Sequence, residues 1–205
     1  MGQIGVADLE RRLGSDRLDV RLGAIDALER IMIDTALDHP TIVEVLAAFV
    51  REHAPAAASG PDPDGGGQPE QHQSTAPDVQ AAVTVLGRRP AGRAEHGPVN
   101  LASANLFGAT VVRANLAGAD LDGANLFGAD LTCADLRGAN LTLADLGCAN
   151  LAGATLAGAN LTLANLTLAD LTGADLAGAT LTEASLGGTD LTGVALTDEQ
   201  RRATN

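Results

Sequence analysis

The residues of this chain that are equipped for chemistry are four histidines, two cysteines and many acidic and hydroxyl side chains. The histidines are His39, His53, His72 and His96. None of them has a metal-ligand spacing to Cys133 or Cys148. The sequence also has no phosphate loop, nucleophile elbow or HExxH segment. We therefore expect a protein that is not an enzyme and that binds no metal and no cofactor.

Most of the hydroxyl and acidic side chains belong to a repeat that fills the second half of the chain. From Leu101 to Leu196 every fifth residue is leucine, with Val111 as the one exception. Five steps of about 100° would scatter these leucines around a helix, and an odd spacing would put them on alternate faces of a strand. The remaining arrangement bends the chain once per pentapeptide and stacks the units around a shared core.

The positions around each leucine agree with a chain that bends repeatedly. The residue two positions before the leucine is alanine at seventeen successive sites, from Ala104 to Ala184, and we expect it to point inward with the leucine. The residue directly before the leucine is Asn or Asp at fifteen of twenty sites, and such side chains bond to nearby backbone in turns. Glycine is the second residue after it at eleven of twenty sites, which favours a tight corner.

With its pattern A(D/N)LXX, the segment 99–197 resembles the pentapeptide-repeat family. The resemblance implies a mainly β fold, a right-handed quadrilateral β-helix in which four pentapeptides make one coil. Residues twenty apart would then stack, about 4.8 Å from coil to coil, and the repeats would form about five coils. On such a rod Cys133 and Cys148 lie on different sides, so we expect two free thiols.

The first half of the chain reads as an α-helical region followed by a linker. Apolar residues at three- and four-residue spacing predict three helices within 1–54, the third of which begins with a capping box of Thr41 and Glu44. A further helix is predicted at about 77–87, starting at Pro77. We divide the chain into an α-helical leader (1–54), a Gly/Pro/Ala linker (55–74), a helix and junction (75–98), the β-helix (99–197) and a short C-terminal capping helix and tail (198–205).

The leader is similar to the helical leader of many actinobacterial pentapeptide-repeat proteins, through residues 21–31, 38–52 and 77–90. Relatives often carry membrane helices before it. This sequence has no apolar run of about eighteen residues and no signal peptide, so we expect a cytoplasmic protein without a membrane role. The helices should cover the open end of the first coil, and a capping box of Thr197 and Gln200 predicts a helix that closes the other end. Whether the leader docks or swings on the linker stays open.

One set of outward residues is large and apolar, and it forms our candidate interaction patch. In the four-sided register, its members share one side of the rod: Phe107, Phe127, Leu143, Leu163 and Leu168. Outward positions elsewhere carry mostly small, polar or charged residues, so the patch predicts contact with a protein. A partner protein, a second copy of the chain and the chain's own leader helices are the three possible occupants.

The rod is also acidic, with nine acidic residues against Arg113 and Arg137 within 99–197, which leaves a formal charge of −7. This excludes a nucleic-acid-binding surface, which needs basic grooves. The candidate acidic side consists of Asp130, Asp135, Asp170, Asp175 and Asp190. Some relatives in the family mimic DNA towards topoisomerases, but B-DNA of this length would carry about 14 charges.

We therefore predict a non-enzymatic scaffold for protein–protein interaction. The alternative is a DNA-mimicking modulator of a type II topoisomerase (gyrase) that protects against gyrase poisons.

Overall fold

The computed structural model describes residues 5–55, 74–90, 92–93 and 95–203. Between Asn100 and Asp190 the chain forms parallel β-bridges, each of which joins two residues twenty positions apart. One ladder of such bridges has five levels: Asn100, Asp120, Asn140, Asn160 and Thr180. Pairing covers a single bridge per side, because the chain turns after each leucine.

Each corner of the β-helix is a four-residue turn. The alanine amide donates to the carbonyl of the leucine three residues earlier, for example Ala124 to Leu121 at 3.0 Å. The third residue of the turn has a positive φ, as a type II turn requires. The eleven predicted corner glycines all have this conformation, with φ between 61° and 77°. At eight further corners a residue with a side chain adopts it instead.

The core of the rod consists of the inward leucines and alanines, as the repeat predicts. Leu121, Leu141 and Leu161 are completely buried. Val111, the exception to the leucine repeat, is 4% exposed and is accommodated in the same core. Burial of two apolar side chains per pentapeptide stabilises the stack by the hydrophobic effect, and each coil supplies it to its neighbours.

The structure has five helices among the described residues: α1 (Val6–Leu13), α2 (Leu18–Asp34), α3 (His39–His53), α4 (Pro77–Gly87) and α5 (Asp198–Ala203). The predicted capping box of Thr41 and Glu44 is wrong, because α3 already begins at His39. Pro40 lies in the first turn, where its fixed φ suits a helix and its missing amide hydrogen costs no bond. Glu44 instead pairs with His96, at 2.9 Å.

Helices α1 to α4 pack together into a cap that lies on the first coil. The cap bonds to the backbone of that coil: Asn105 N donates to Ala54 O at 2.6 Å, and Asn115 N donates to Gly87 O at 2.8 Å. The side-chain amide of Gln80 takes the place of a neighbouring strand, accepting from Thr110 N and donating to Thr110 O. The predicted linker 55–74 falls outside the described residues except at its two ends.

The other end of the rod carries the capping box that the sequence predicts. Thr197 N donates to Gln200 Oε1 at 2.9 Å, and Gln200 N donates to Thr197 Oγ1 at 3.2 Å. The amide nitrogen of Gln200 is buried and donates to Leu176 O and Ala179 O. Helix α5 thus attaches to the last coils through one side chain.

Candidate protein-interaction surface

One side of the rod carries a ladder of amides, and we call it the asparagine face. Its central ladder is Asn105, Asn125, Asp145, Asn165 and Ser185. Two of the amides bond to the coil before: Asn125 Nδ2 donates to Asn105 Oδ1 at 3.0 Å, and Asn165 Nδ2 donates to Asp145 Oδ1 at 2.8 Å. The face is therefore a regular, polar strip with a corner of the rod on each side.

The corner before the asparagine face, here the upstream corner, carries two of the predicted patch residues. Leu143 and Leu163 have φ values of 58° and 60° and are 58% and 45% exposed. At the downstream corner Leu168 has the same conformation, with φ 60°, and is 63% exposed. A bulky side chain in this region costs about 1–3 kcal/mol, which glycine at the same position avoids. Three leucines are thus held in strained backbone without the benefit of full burial.

The two phenylalanines of the patch lie at the downstream corner. Phe107 and Phe127 stack on each other with ring centroids 5.6 Å apart and planes inclined by 5°, as their separation of twenty residues predicts. Phe127 also leans over the next coil, where a Cβ on Gly147 would come within 2.9 Å of the ring. Leu168 does the same over Gly188, with a corresponding distance of 2.8 Å. The glycines below these side chains are therefore part of the surface.

Sequence reasoning placed the five patch residues on one side of the rod, and the structure shows how they are divided. They form two apolar borders, separated by the central amide ladder, instead of one continuous stripe. It also missed Cys148, an exposed residue with φ 55° that precedes Leu168 by one coil in the downstream corner. The register of twenty residues contains this signal, because position 148 plus twenty is position 168.

The cap meets the asparagine face only at its first coil. Ala54 and Pro55 contact Asn105 and Ala104, and Thr75 donates to Phe107 O through both its amide and its hydroxyl, each at 3.0 Å. Helices α1 to α4 lie at the end of the rod and leave Leu143, Leu163 and Leu168 exposed. These leucines are not accounted for by packing against the leader.

The acidic residues form two neighbouring ladders on the other sides. Asp130, Asp170 and Asp190 lie in one ladder, which Asn150 interrupts. Each of the three accepts a bond from the backbone two residues later, the turn role expected of this position. Hydrogen bonds from the side chain and then the backbone of Thr192 lower the pKa of Asp190.

The second ladder contains Asp135 and Asp175, with Thr155 between them. Arg137 binds Asp135 at 2.5 Å and 2.8 Å, and this hydrogen bonding lowers the pKa of the Asp135 carboxyl. The arginine also offsets the charge of this carboxylate. The acidic side is therefore a set of turn-capping carboxylates, interrupted by neutral residues and partly neutralised.

Two further searches covered the described residues. Within them, no group of three or more His, Cys, Asp and Glu side chains is placed to hold a metal ion. None of the helices in the described part of the chain has the length and apolar character needed to cross a membrane.

These features define a solenoid repeat protein with a patterned outer surface. The family description "Pentapeptide repeats" matches the chain in eight copies, over residues 104–142, 144–182 and 159–198. The chain is 40% identical to the pentapeptide-repeat protein Rfr23 from the cyanobacterium Cyanothece 51142, over 54% of this chain and 68% of that one (TM-score 0.42). The chain belongs to the pentapeptide-repeat family.

Two other structures illustrate the range of similar proteins. The pentapeptide-repeat protein alr5209 from Nostoc PCC 7120 is 41% identical, over 40% of this chain and 71% of that one (TM-score 0.38). QnrB1, a plasmid-mediated fluoroquinolone resistance protein, is 22% identical, over 50% of this chain and 63% of that one (TM-score 0.32). No curated protein sequence matches the chain.

Proposed function

We propose that this protein is a non-enzymatic scaffold, a right-handed four-sided rod of about five coils that binds protein through its asparagine face. The observation that carries the proposal is the backbone conformation of Leu143, Leu163 and Leu168. Each has a positive φ that glycine adopts freely, and each is largely exposed. A side chain that adds strain without being buried in the fold is explained by a contact outside it.

The same observation provides a clean test, because glycine removes the leucine side chain and relieves the strain. The triple variant Leu143→Gly, Leu163→Gly and Leu168→Gly should unfold at the same temperature as the native chain or higher. Cys133→Gly is the matched control, since Cys133 has φ 56° at an exposed corner away from the asparagine face. Both variants should therefore be folded and comparable.

Binding is then measured by photo-crosslinking, with a photoreactive side chain introduced at Thr167 of the full chain. In an extract of the source cells, the native chain and the Cys133→Gly chain should give the same discrete adducts. The triple glycine variant should lose them. Adducts that are unchanged in the triple variant would mean that the leucines do not form the binding surface.

The second candidate function, modulation of gyrase by DNA mimicry, is favoured by the alignment of Asp130, Asp170 and Asp190 in one ladder. A supercoiling assay with the purified chain tests it. Asparagine occupies many equivalent turn positions, so the triple Asp→Asn variant at these sites should keep the fold. Inhibition by the native chain that this variant abolishes would favour DNA mimicry. No effect at micromolar protein would remove it.

A further inference from the structure

We infer that a second copy of this chain binds to the asparagine face, with the two rods antiparallel; this inference rests on the proposed function of that face. It starts from the outward residues of the four coils, read across the face from the upstream to the downstream corner. The rows are Ser103, Asn105, Phe107; then Gly123, Asn125, Phe127; then Leu143, Asp145, Gly147; then Leu163, Asn165, Thr167.

The large and small residues of these rows alternate in a self-complementary way. In the first two rows the upstream corner is small and the downstream corner is aromatic. In the next two rows the upstream corner is leucine and the downstream corner is small. The surface therefore has raised and lowered quarters in diagonal positions, and a two-fold axis can bring raised quarters onto lowered ones.

An axis that runs across the rod between the second and third rows produces the antiparallel pair. It keeps upstream opposite upstream, and it exchanges the first row with the fourth and the second with the third. Leu143 then packs on Gly123 of the second copy, and Leu163 packs on Ser103 of that copy. At the downstream corner Phe107 meets Thr167 of the second copy, and the two Phe127 rings meet near the axis, since each covers its own Gly147.

Charge decides between the antiparallel and the parallel pair. Asp145 is the one charged residue in these four rows. In the antiparallel pair it faces the amide of Asn125 from the second copy, which is able to donate a hydrogen bond to it. In a parallel pair, Asp145 would face Asp145 of the second copy, and like charges across an interface are unfavourable.

The charge of the whole molecule also favours this face for self-association. The chain has a formal net charge of −13, so two copies repel each other. The downstream corner has no charged residue in any of its outward positions: Phe107, Gly108, Phe127, Gly128, Gly147, Cys148, Thr167, Leu168, Gly187 and Gly188. Contact here brings the fewest like charges together.

The size of the face sets the expected strength. Four coils span about 19 Å along the rod, and five residues span at most about 17 Å across it. The product, about 320 Å² of flat area, is below the roughly 800 Å² that each partner buries in a standard interface. We therefore expect a dimer that dissociates in the micromolar range.

Sedimentation equilibrium of the full chain over a range of concentrations and at low salt tests the inference, through an exchange of Leu143 and Gly123. Both residues lie in the upstream corner with φ near 60°, so the exchange needs no change in the backbone. Leu143→Gly should weaken the dimer about tenfold by removing a side chain from two symmetry-related contacts. Gly123→Leu should weaken it as well, by placing leucine against leucine. The double variant should restore native affinity, while Cys133→Gly should have no effect.

The outcomes separate this inference from the proposed function. Restoration by the double variant would support the antiparallel pair. A dimer that Leu143→Gly does not weaken, or that the double variant fails to restore, would overturn it. A native chain that is monomeric at hundreds of micromolar would also overturn it, and leucine-dependent crosslinks to a different protein would then leave the proposed function standing. Loss of both results would overturn both.

Discussion

The two ends of the rod solve the same problem with very different amounts of structure. A β-helix that stops exposes unpaired backbone groups and the open end of its core. At the N-terminal end the cap supplies partners on all four sides of the first coil: Arg51 to Asn100, Ala54 to Asn105, Gln80 to Thr110, and Gly87 with Arg89 to Asn115. At the C-terminal end, Gln200 bonds to the carbonyls of Leu176 and Ala179.

Burial follows this difference. In the first coil Leu101, Leu106 and Leu116 are at most 2% exposed. In the last coil, the leucines at positions 186, 191 and 196 are only partly buried. Because the stability of a repeat protein depends on interfaces between neighbouring units, the comparison teaches that the rod should be firm at the cap and fray from α5.

The largest expected effect is loss of the cap interface in Arg89→Ala. The Arg89 side chain is 2% exposed, binds Glu95 at 2.7 Å, and donates to the carbonyls of Leu86 and Asn115. Removing it leaves a partly buried carboxylate without its counter-ion, beside the buried ring of His39, which costs about 3–5 kcal/mol. Urea denaturation measures the loss. Arg30→Ala removes an exposed pair with Asp26 and should cost less than about 0.5 kcal/mol, and equal losses would contradict the role of Arg89.

Acid should weaken the cap through Asp78, which binds Arg21 at 2.7 Å and joins α4 to α2. Burial raises the pKa of Asp78, but hydrogen bonds from Arg21 and the backbone outweigh it and hold the pKa below its ordinary value of 3.8. A lowered pKa in the folded state stabilises the protein above about pH 4, and this stabilisation is lost as the pH falls further. Asp78→Asn should therefore cost about 1–3 kcal/mol at pH 7 and less at pH 3. A cost independent of pH, in denaturation of both chains, would be evidence against this ion pair.

Contact between cap and coil should also fail in Gly87→Ala. A Cβ at this position would lie 2.7 Å from Ala114 Cβ, so α4 would have to move away from the first coil. Overpacking costs about 1–3 kcal/mol, of which the better helix propensity of alanine offsets about 1 kcal/mol. Gly23→Ala in α2 is the control, because its Cβ would meet nothing within 4 Å and should be neutral or stabilising. Thermal unfolding of the two variants should shift in different directions.

The smallest expected effect is at the C-terminal end. Gln200→Ala removes the capping box and the two bonds to Leu176 and Ala179, worth about 1–2 kcal/mol in the last coil. Hydrogen exchange should become faster in residues 179–197 and stay the same in the first coil. Thr197→Ser keeps the cap hydroxyl and should exchange as the native chain does. Faster exchange throughout the rod would show that the two ends are coupled, contrary to the comparison.

Much of the fold is predictable from the chain because its repeat is strict. Leucine at every fifth position specifies the buried residues, and glycine marks eleven of the corners. The stacking of residues twenty apart came from the family resemblance, because a period of five is compatible with polygons of several sizes. The start of α3 was misjudged because a capping-box spacing at Thr41 was given more weight than Pro40, which belongs to the first turn.

The candidate site was less predictable, since it depends on backbone torsion and on neighbours one coil away. The sequence alone determined that Leu143, Leu163 and Leu168 point outward, since the repeat leaves no inward place for them. The tertiary structure decided that they are held at positive φ, that Phe127 rests over Gly147, and that a side-chain amide of α4 pairs with the edge of the first coil. The physical reason is that a periodic pattern encodes local geometry, whereas contacts between coils and between cap and coil exist only after residues distant in the chain have been brought together.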